Sequence, residues 1–268
     1  MTVATLADVL GGPRAVAGLV VLGWEEAQAF VDAAEAEGRA VILQAGPGAR
    51  RYMPLRVWGA MLRTLAEGAS VPVVCHLDHG EGFETCLRAV EAGFSSVMYD
   101  GSALPLAENI AITQCVVEMA RASGVSVEAE LGVVGYAGGA LSQATDPAEA
   151  VALAATGIDA LAVSVGNVHL MTEAEAVIDF NALRAIGAAV PGLPLVLHGG
   201  SGIAPGVRRR IVAETAVRKF NIGTELRQVF GASLRNAMKD PAIFDHIGIL
   251  RQTVAPLTEA ARGVIREL

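Results

Sequence analysis

The segment Leu193-Pro194-Leu195-Val196-Leu197-His198-Gly199-Gly200-Ser201-Gly202 is an apolar run of strand length that ends on a histidine and opens into a glycine-rich corner. It is too continuous to alternate between a wet and a dry face. It therefore reads as a parallel strand covered on both sides. A helical segment follows from Pro205 to Glu214. The next apolar run, Val217 to Ile222, again closes on polar and glycine residues, Asn221-Ile222-Gly223-Thr224. Strand, polar corner and helix make one βα unit.

The same unit recurs upstream. Strand-like runs lie at Ala15 to Leu22, Ala40 to Gln44, Val71 to Leu77, Ser95 to Tyr99, Val125 to Leu131 and Ala160 to Val165. Segments of helical period separate them: Trp24 to Glu37, Pro54 to Glu67, Phe83 to Ala92, Leu106 to Ser123, Pro147 to Ala155 and Asp179 to Val190, with Thr224 to Lys239 after the last strand. Eight βα units in a chain of 268 residues fit an α/β protein of the (β/α)8, or TIM, barrel type. A doubly wound sheet is the alternative that the pattern alone leaves open. No linker or low-complexity stretch interrupts the alternation. Residues 1–268 are expected to form a single barrel domain, with the tail Pro241 to Leu268 as a C-terminal helical extension serving as a cap or oligomer contact.

Composition narrows the function. A chain that is 53% hydrophobic and 18% charged has the opposite of a disordered signature. A formal net charge of −8 argues against a nucleic-acid partner. The longest charge-free run, Ala185 to Val207, holds Pro191, Pro194, His198 and Ser201, so no membrane span is expected. Met1 to Leu10 lacks a basic segment and carries Asp8, unlike a secretory signal. Cys75, Cys86 and Cys115 are odd in number and form no CxxC pair. They read as reduced, buried structural thiols of a cytoplasmic protein.

The chemistry of a barrel sits where its strands end, and the polar residues of this chain gather there. The third run ends in His76-Leu77-Asp78-His79-Gly80 and the fourth in Tyr99-Asp100-Gly101-Ser102, while the fifth carries Glu128 and Glu130. The sixth leads into Gly166-Asn167-Val168-His169, and the seventh ends at His198. A lone histidine near a core is usually a hydrogen-bonded core residue. Here four of the five histidines share one rim. Three imidazoles from three strands close one side of a metal ion and leave a position open, as in a catalytic zinc site. His79, His169 and His198 form the best trio. His76 and Asp78 share strand parity, so both are expected to face the barrel axis. Asp78 then stands as a base beside the metal, and His76 as a supporting group behind the ligands.

The glycine corners after the last two strands point to a second subsite. Backbone amides at such turns and at helix N-termini cradle phosphate, and barrels often place this cradle after strands seven and eight. Ordinary turn glycines would explain either corner alone; their occurrence on adjacent strands favours an anion site.

These segments resemble the class II, metal-dependent ketose-bisphosphate aldolases. The resemblance rests on His76-Leu77-Asp78-His79-Gly80, Val97 to Ser102, Val127-Glu128-Ala129-Glu130-Leu131-Gly132, Leu161 to His169, Leu197 to Gly202 and Lys219 to Leu226, in that order. It runs from the second strand onward and is nearest to the short bacterial fructose- and tagatose-bisphosphate aldolases. It implies one divalent ion per chain, Zn2+, on His79, His169 and His198, and leaves a monovalent cation open. Asp78 would exchange the proton of the substrate hydroxyl. Asp100 and Glu130, with His76, would support the metal or offer it alternative contacts. Gly199, Gly200, Ser201, Asn221, Gly223 and Thr224 would hold the phosphate of dihydroxyacetone phosphate. The implied enzyme is an aldehyde-lyase acting on a ketose phosphate, in a homodimer or homotetramer. Lysine is scarce, with Lys219 the only one near a strand end, which weakens a Schiff-base mechanism.

Two positions depart from the family pattern. The loop after the fifth strand usually carries Gly-Gly-x-Glu-Asp, whereas Gly135 to Gln143 contains no acid. Tyr136 or a water is expected to stand in. Leu170 follows His169 where the family usually has glycine. Because of these departures, two alternatives stay open: a metal-dependent lyase on an altered or unphosphorylated substrate, and a silent sugar-phosphate-binding barrel.

Overall fold

The computed structural model describes residues 2–139, 142–173 and 175–268. Nine strands lie in one parallel sheet: β1 (Val3–Ala4), β2 (Val16–Val20), β3 (Val41–Ala45), β4 (Val73–Gly80), β5 (Ser96–Tyr99), β6 (Ser126–Leu131), β7 (Ala160–Val163), β8 (Leu195–Leu197) and β9 (Val217–Ile222). Strands β2 to β9 pair in the ring β4-β3-β2-β9-β8-β7-β6-β5, closed by β4 on β5. The expected barrel is therefore formed, and the doubly wound alternative is excluded by that closure. Between the strands lie helices whose starts follow local chemistry. Asp146 and Asp179 cap Pro147–Ala154 and Phe180–Ala189 with side-chain oxygens, and Pro205 opens Pro205–Glu214.

Three short elements fall outside the sequence expectations: β1, the helix Leu6–Val9 and the helix Pro47–Tyr52. Each is too short to carry a periodic signal. The first two close the barrel floor, where Leu6 and Leu10 cluster with Val16, Ile42, Val74, Met98, Ala160, Ala162 and Val196. A larger apolar layer lies between the outer faces of the strands and the surrounding helices. The expected helical tail is His246–Glu267. It packs on Trp24–Glu37, and Arg262 and Arg266 each lie 2.8 Å from Glu37. No helix among the described residues is long and apolar enough to cross a membrane. Cys75 and Cys86 are buried as expected, but Cys115 is exposed. It sits on Leu106–Ala122, whose inward stripe is Asn109, Thr113, Val116, Val117 and Ala120 instead.

Candidate active site

The end of β4, the loop after β7 and the residue after β8 bring His79, His169 and His198 together. Their ring centroids are separated by 4.6 Å (His79–His198), 5.3 Å (His79–His169) and 5.5 Å (His169–His198). One nitrogen from each lies within 4.8 Å of the others, and His79, Asp100 and Glu130 form a second group of the same kind. His198 Nε2 is engaged by Glu128 Oε1 at 3.2 Å. Its Nδ1 is buried without a hydrogen-bond partner, as is Glu130 Oε2 at 3.5 Å from it. Buried polar atoms nearly always find partners. Two facing orphans amid imidazoles and carboxyl groups fit a divalent cation.

The electrostatics agree. Burial, reinforced by the charge on His79, pushes the His198 imidazole well below its usual range and His169 down to about 4. Burial opposes charging His79 as well. There Asp78, the bond to Asp100 and Glu130 prevail, and the group is pushed up to about 10. Burial alone would raise Asp100, but the His79 and Ser102 contacts hold it below the ordinary carboxylate range. Burial, then the negative charge of Asp100, pushes Glu130 up to about 8. The carboxylates Asp78, Asp100 and Glu130 thus favour positive charge at His79, while burial keeps His169 and His198 neutral.

Asp78 and His76 do face the axis; both are buried. The carboxylate of Asp78 accepts a bond from Asn221 Nδ2 at 3.0 Å, and a Cβ on Gly46 would sit 3.2 Å from Asp78 Oδ2. The side-chain amide of Asn221, expected at the phosphate, is thus engaged with Asp78. One layer deeper, Lys219 Nζ donates to Glu128 Oε2 at 2.6 Å and lies 3.3 Å from His76 Nε2, while His76 Nδ1 meets Ser96 Oγ at 2.8 Å. Lys219 is fully buried in this network beneath the histidine cluster. It offers no free amine to a substrate.

The two glycine corners form one wall of an open cleft of about 750 Å³ that also borders Asp78, His79, His169 and Tyr136. Gly199 has φ +64°, and a Cβ there would lie 2.2 Å from the Val168 carbonyl oxygen, so only glycine fits. Ser201 Oγ accepts from the Glu225 amide at 3.2 Å. Arg208 holds the corners together, donating to the Ile203 carbonyl at 2.8 Å and to Glu225 at 2.9 Å. Arg227 lines the cleft beside Thr224, donating to its Oγ1 at 3.2 Å. Composition could not single out either arginine, because nothing in their local sequence distinguishes them from surface arginines.

The loop after β6 is tied to the histidine cluster through His169. The Ala137 amide donates to the His169 carbonyl at 3.0 Å, and the His169 amide donates to Gly135 at 2.8 Å. The Tyr136 ring stacks on His169 with centroids 4.9 Å apart. Ala140 and Leu141 of this loop lie outside the described residues. Leu170, where the family usually has glycine, adopts φ +60°. This is a conformation that glycine takes without cost.

The sequence model of the class-II fructose-bisphosphate aldolase family matches residues 2–268. A fructose-bisphosphate aldolase of Geobacillus stearothermophilus is 39% identical over 270 residues, covering 97% of this chain and 92% of the relative. One from Streptococcus pyogenes serotype M1 is 38% identical over 269 residues, covering 94% and 90%. The crystal structure of the YdjI aldolase from Escherichia coli K12 superposes with a TM-score of 0.85 at 31% identity, covering 98% of this chain and 94% of that one. The chain belongs to the class-II fructose-bisphosphate aldolase family.

Proposed function

We propose that this cleft cleaves a ketose phosphate reversibly into dihydroxyacetone phosphate and an aldehyde, with His79, His169 and His198 holding one zinc ion. The chain is an aldehyde-lyase of the class II type. The observation carrying the residue assignment is the convergence of three imidazoles from separate strands beside an anchored carboxylate. A divalent ion held there would supply Lewis acidity toward a ketone oxygen.

The remaining work falls to side chains. Asp78 takes the proton of the hydroxyl on the carbon that becomes the aldehyde, and the electron pair of the broken bond passes to the ketone fragment. Asn221 orients Asp78 for this transfer. Burial raises the Tyr136 phenol above its usual value. It therefore stays protonated and serves as a donor toward the ketone fragment, in place of the acid missing from its loop. The amides of Gly199 and Gly223 and the hydroxyls of Ser201 and Thr224, which line the cleft beside the Arg227 guanidinium, receive the phosphate together with the amide of the adjoining Gly200. Asp100 and, through Glu128, His76 support the ligands from behind, and Glu130 offers an alternative contact on the inner side.

We read residues 1–268 as one functional unit that acts in the cytoplasm as a homodimer or homotetramer. The exposed apolar Met238, Phe244 and Ile247 offer contact surface. The test is a retro-aldol assay across ketose mono- and bisphosphates, with and without chelator, together with elemental analysis of His198→Ala. We expect cleavage that chelator abolishes, and a variant without divalent metal. Cleavage only of unphosphorylated ketoses would refute the phosphate assignment, and full metal content in the variant would refute the ligand set. The same elemental analysis reads any monovalent cation.

A further inference from the structure

Consecutive residues of a strand point to opposite faces. A regular β4 would therefore send Asp78 toward the axis and His79 outward, away from the cleft. The two converge because β4 leaves its ladder there. Its register with β5 shifts between Leu77 and Gly80, its pairing with β3 ends at Ala45 and Leu77, and His79 adopts φ +49°. That left-handed conformation is costly for a residue with a Cβ, and the departure takes two carbonyls out of regular pairing.

Arg50, on the helix Pro47–Tyr52, meets both carbonyls. Its Nη1 donates to the Asp78 carbonyl at 2.6 Å and to the Ala45 carbonyl at 3.3 Å. Its Nη2 donates to the His79 carbonyl at 2.9 Å and lies 2.8 Å from Glu81 Oε1. The Arg50 side chain is 9% exposed, against 62% for Glu81, so the backbone contacts are the buried ones. A planar guanidinium with several fixed donors can bridge carbonyls of the bulge and of the neighbouring strand, which a point ammonium cannot.

We infer that Arg50 is a positioning residue that holds His79 in its metal-ligating conformation by bonding the carbonyls of Asp78 and His79. This rests on the assignment of His79 as a ligand. Arg50 does not line the cleft; it stabilises the backbone turn that brings Asp78 and His79 onto it.

The test measures Zn2+ affinity by competition with a chromophoric chelator, beside the thermal stability of the metal-free protein. Arg50→Met should weaken Zn2+ binding by about 10–100-fold. Arg50→Lys should fall between it and the natural protein. Glu81→Gln should bind within about twofold of the natural protein, as expected for an exposed ion pair. In Arg50→Ala, guanidinium ion at sub-denaturing concentration should restore affinity, a rescue that loss of general stability does not predict. Arg50→Met or Arg50→Lys with natural affinity overturns the inference, as does absence of rescue. His79→Ala is the control. If it keeps natural Zn2+ affinity, the ligand assignment itself fails; if it loses Zn2+ while Arg50→Met does not, only the role of Arg50 fails.

Discussion

At the floor of the barrel, the inward positions Val16, Ile42, Val74, Ala160 and Val196 pack with Leu6 and Leu10 into a dry cluster. Two residues further along β4 and β8 the inward positions are His76 and His198, and two more along β4 lies Asp78. The alternation is the same and both levels are buried. They differ in what satisfies them. The floor needs only close packing. The level above needs partners for its polar atoms, and it pairs Lys219, Glu128, His76 and His198 with one another while His198 Nδ1 and Glu130 Oε2 face each other without hydrogen-bond partners. Position along the barrel axis, rather than burial, separates structural residues from reactive ones.

That contrast can be broken by substitution. The largest effect expected is at the rim: Asp78→Ala should lower turnover by about 10²–10⁴-fold with metal binding retained. Near-normal cleavage would remove Asp78 from the reaction. Next is the floor. Val196→Ala, two residues before His198, should cost about 2 kcal/mol in denaturant unfolding. Its kcat should stay near the natural value. A large loss of kcat with little change in stability would mean that floor and rim are not separable.

The two remaining effects sharpen the comparison within the rim. Tyr136→Phe keeps the ring stacked on His169 and removes only the hydroxyl. Exchange of solvent protons into dihydroxyacetone phosphate should slow by about tenfold, while metal content and ketone binding stay unchanged. Unaltered exchange would leave Tyr136 as a cover, and the donor would be a water or Glu130. The smallest effect runs in the opposite direction. Leu170 is 51% exposed and held at φ +60°, so Leu170→Gly gives up little packing and removes a left-handed Cβ. Relief of strain should outweigh the greater freedom of glycine in the unfolded chain by about 0.5 kcal/mol in unfolding measurements. A destabilised variant would mean that Leu170 makes contacts worth more than its strain.

The long elements and the cluster of histidines were legible in the sequence, and the reason for the elements is periodicity. Trp24–Glu37, Pro205–Glu214 and Val217–Ile222 match the expected bounds residue for residue, because apolar spacing, Pro and Gly mark them locally. The histidines stood out because four of them close strand-like runs. Cys115 was misread as buried: an apolar segment does not reveal which of its residues point outward until a partner surface selects a face. Asn221 was legible as a rim residue but not as the partner of Asp78, since that contact crosses the barrel between β9 and β4.

By itself, the sequence determined the alternation of strands and helices, the polar ends of the strands, and hence a parallel α/β fold with its chemistry at those ends; closure of β4 on β5 decided the barrel. These follow from local spacing and residue type. The tertiary structure alone decided which atoms meet: the departure of β4 from its ladder that turns His79 back toward the cleft, the Arg50 bonds beneath that turn, the buried Lys219–Glu128–His76 layer, and the ring of Tyr136 on His169. Each joins residues far apart in the chain, or sets a backbone angle against the residue's own preference. Such choices are settled by the sum of contacts around a site, which no local pattern encodes.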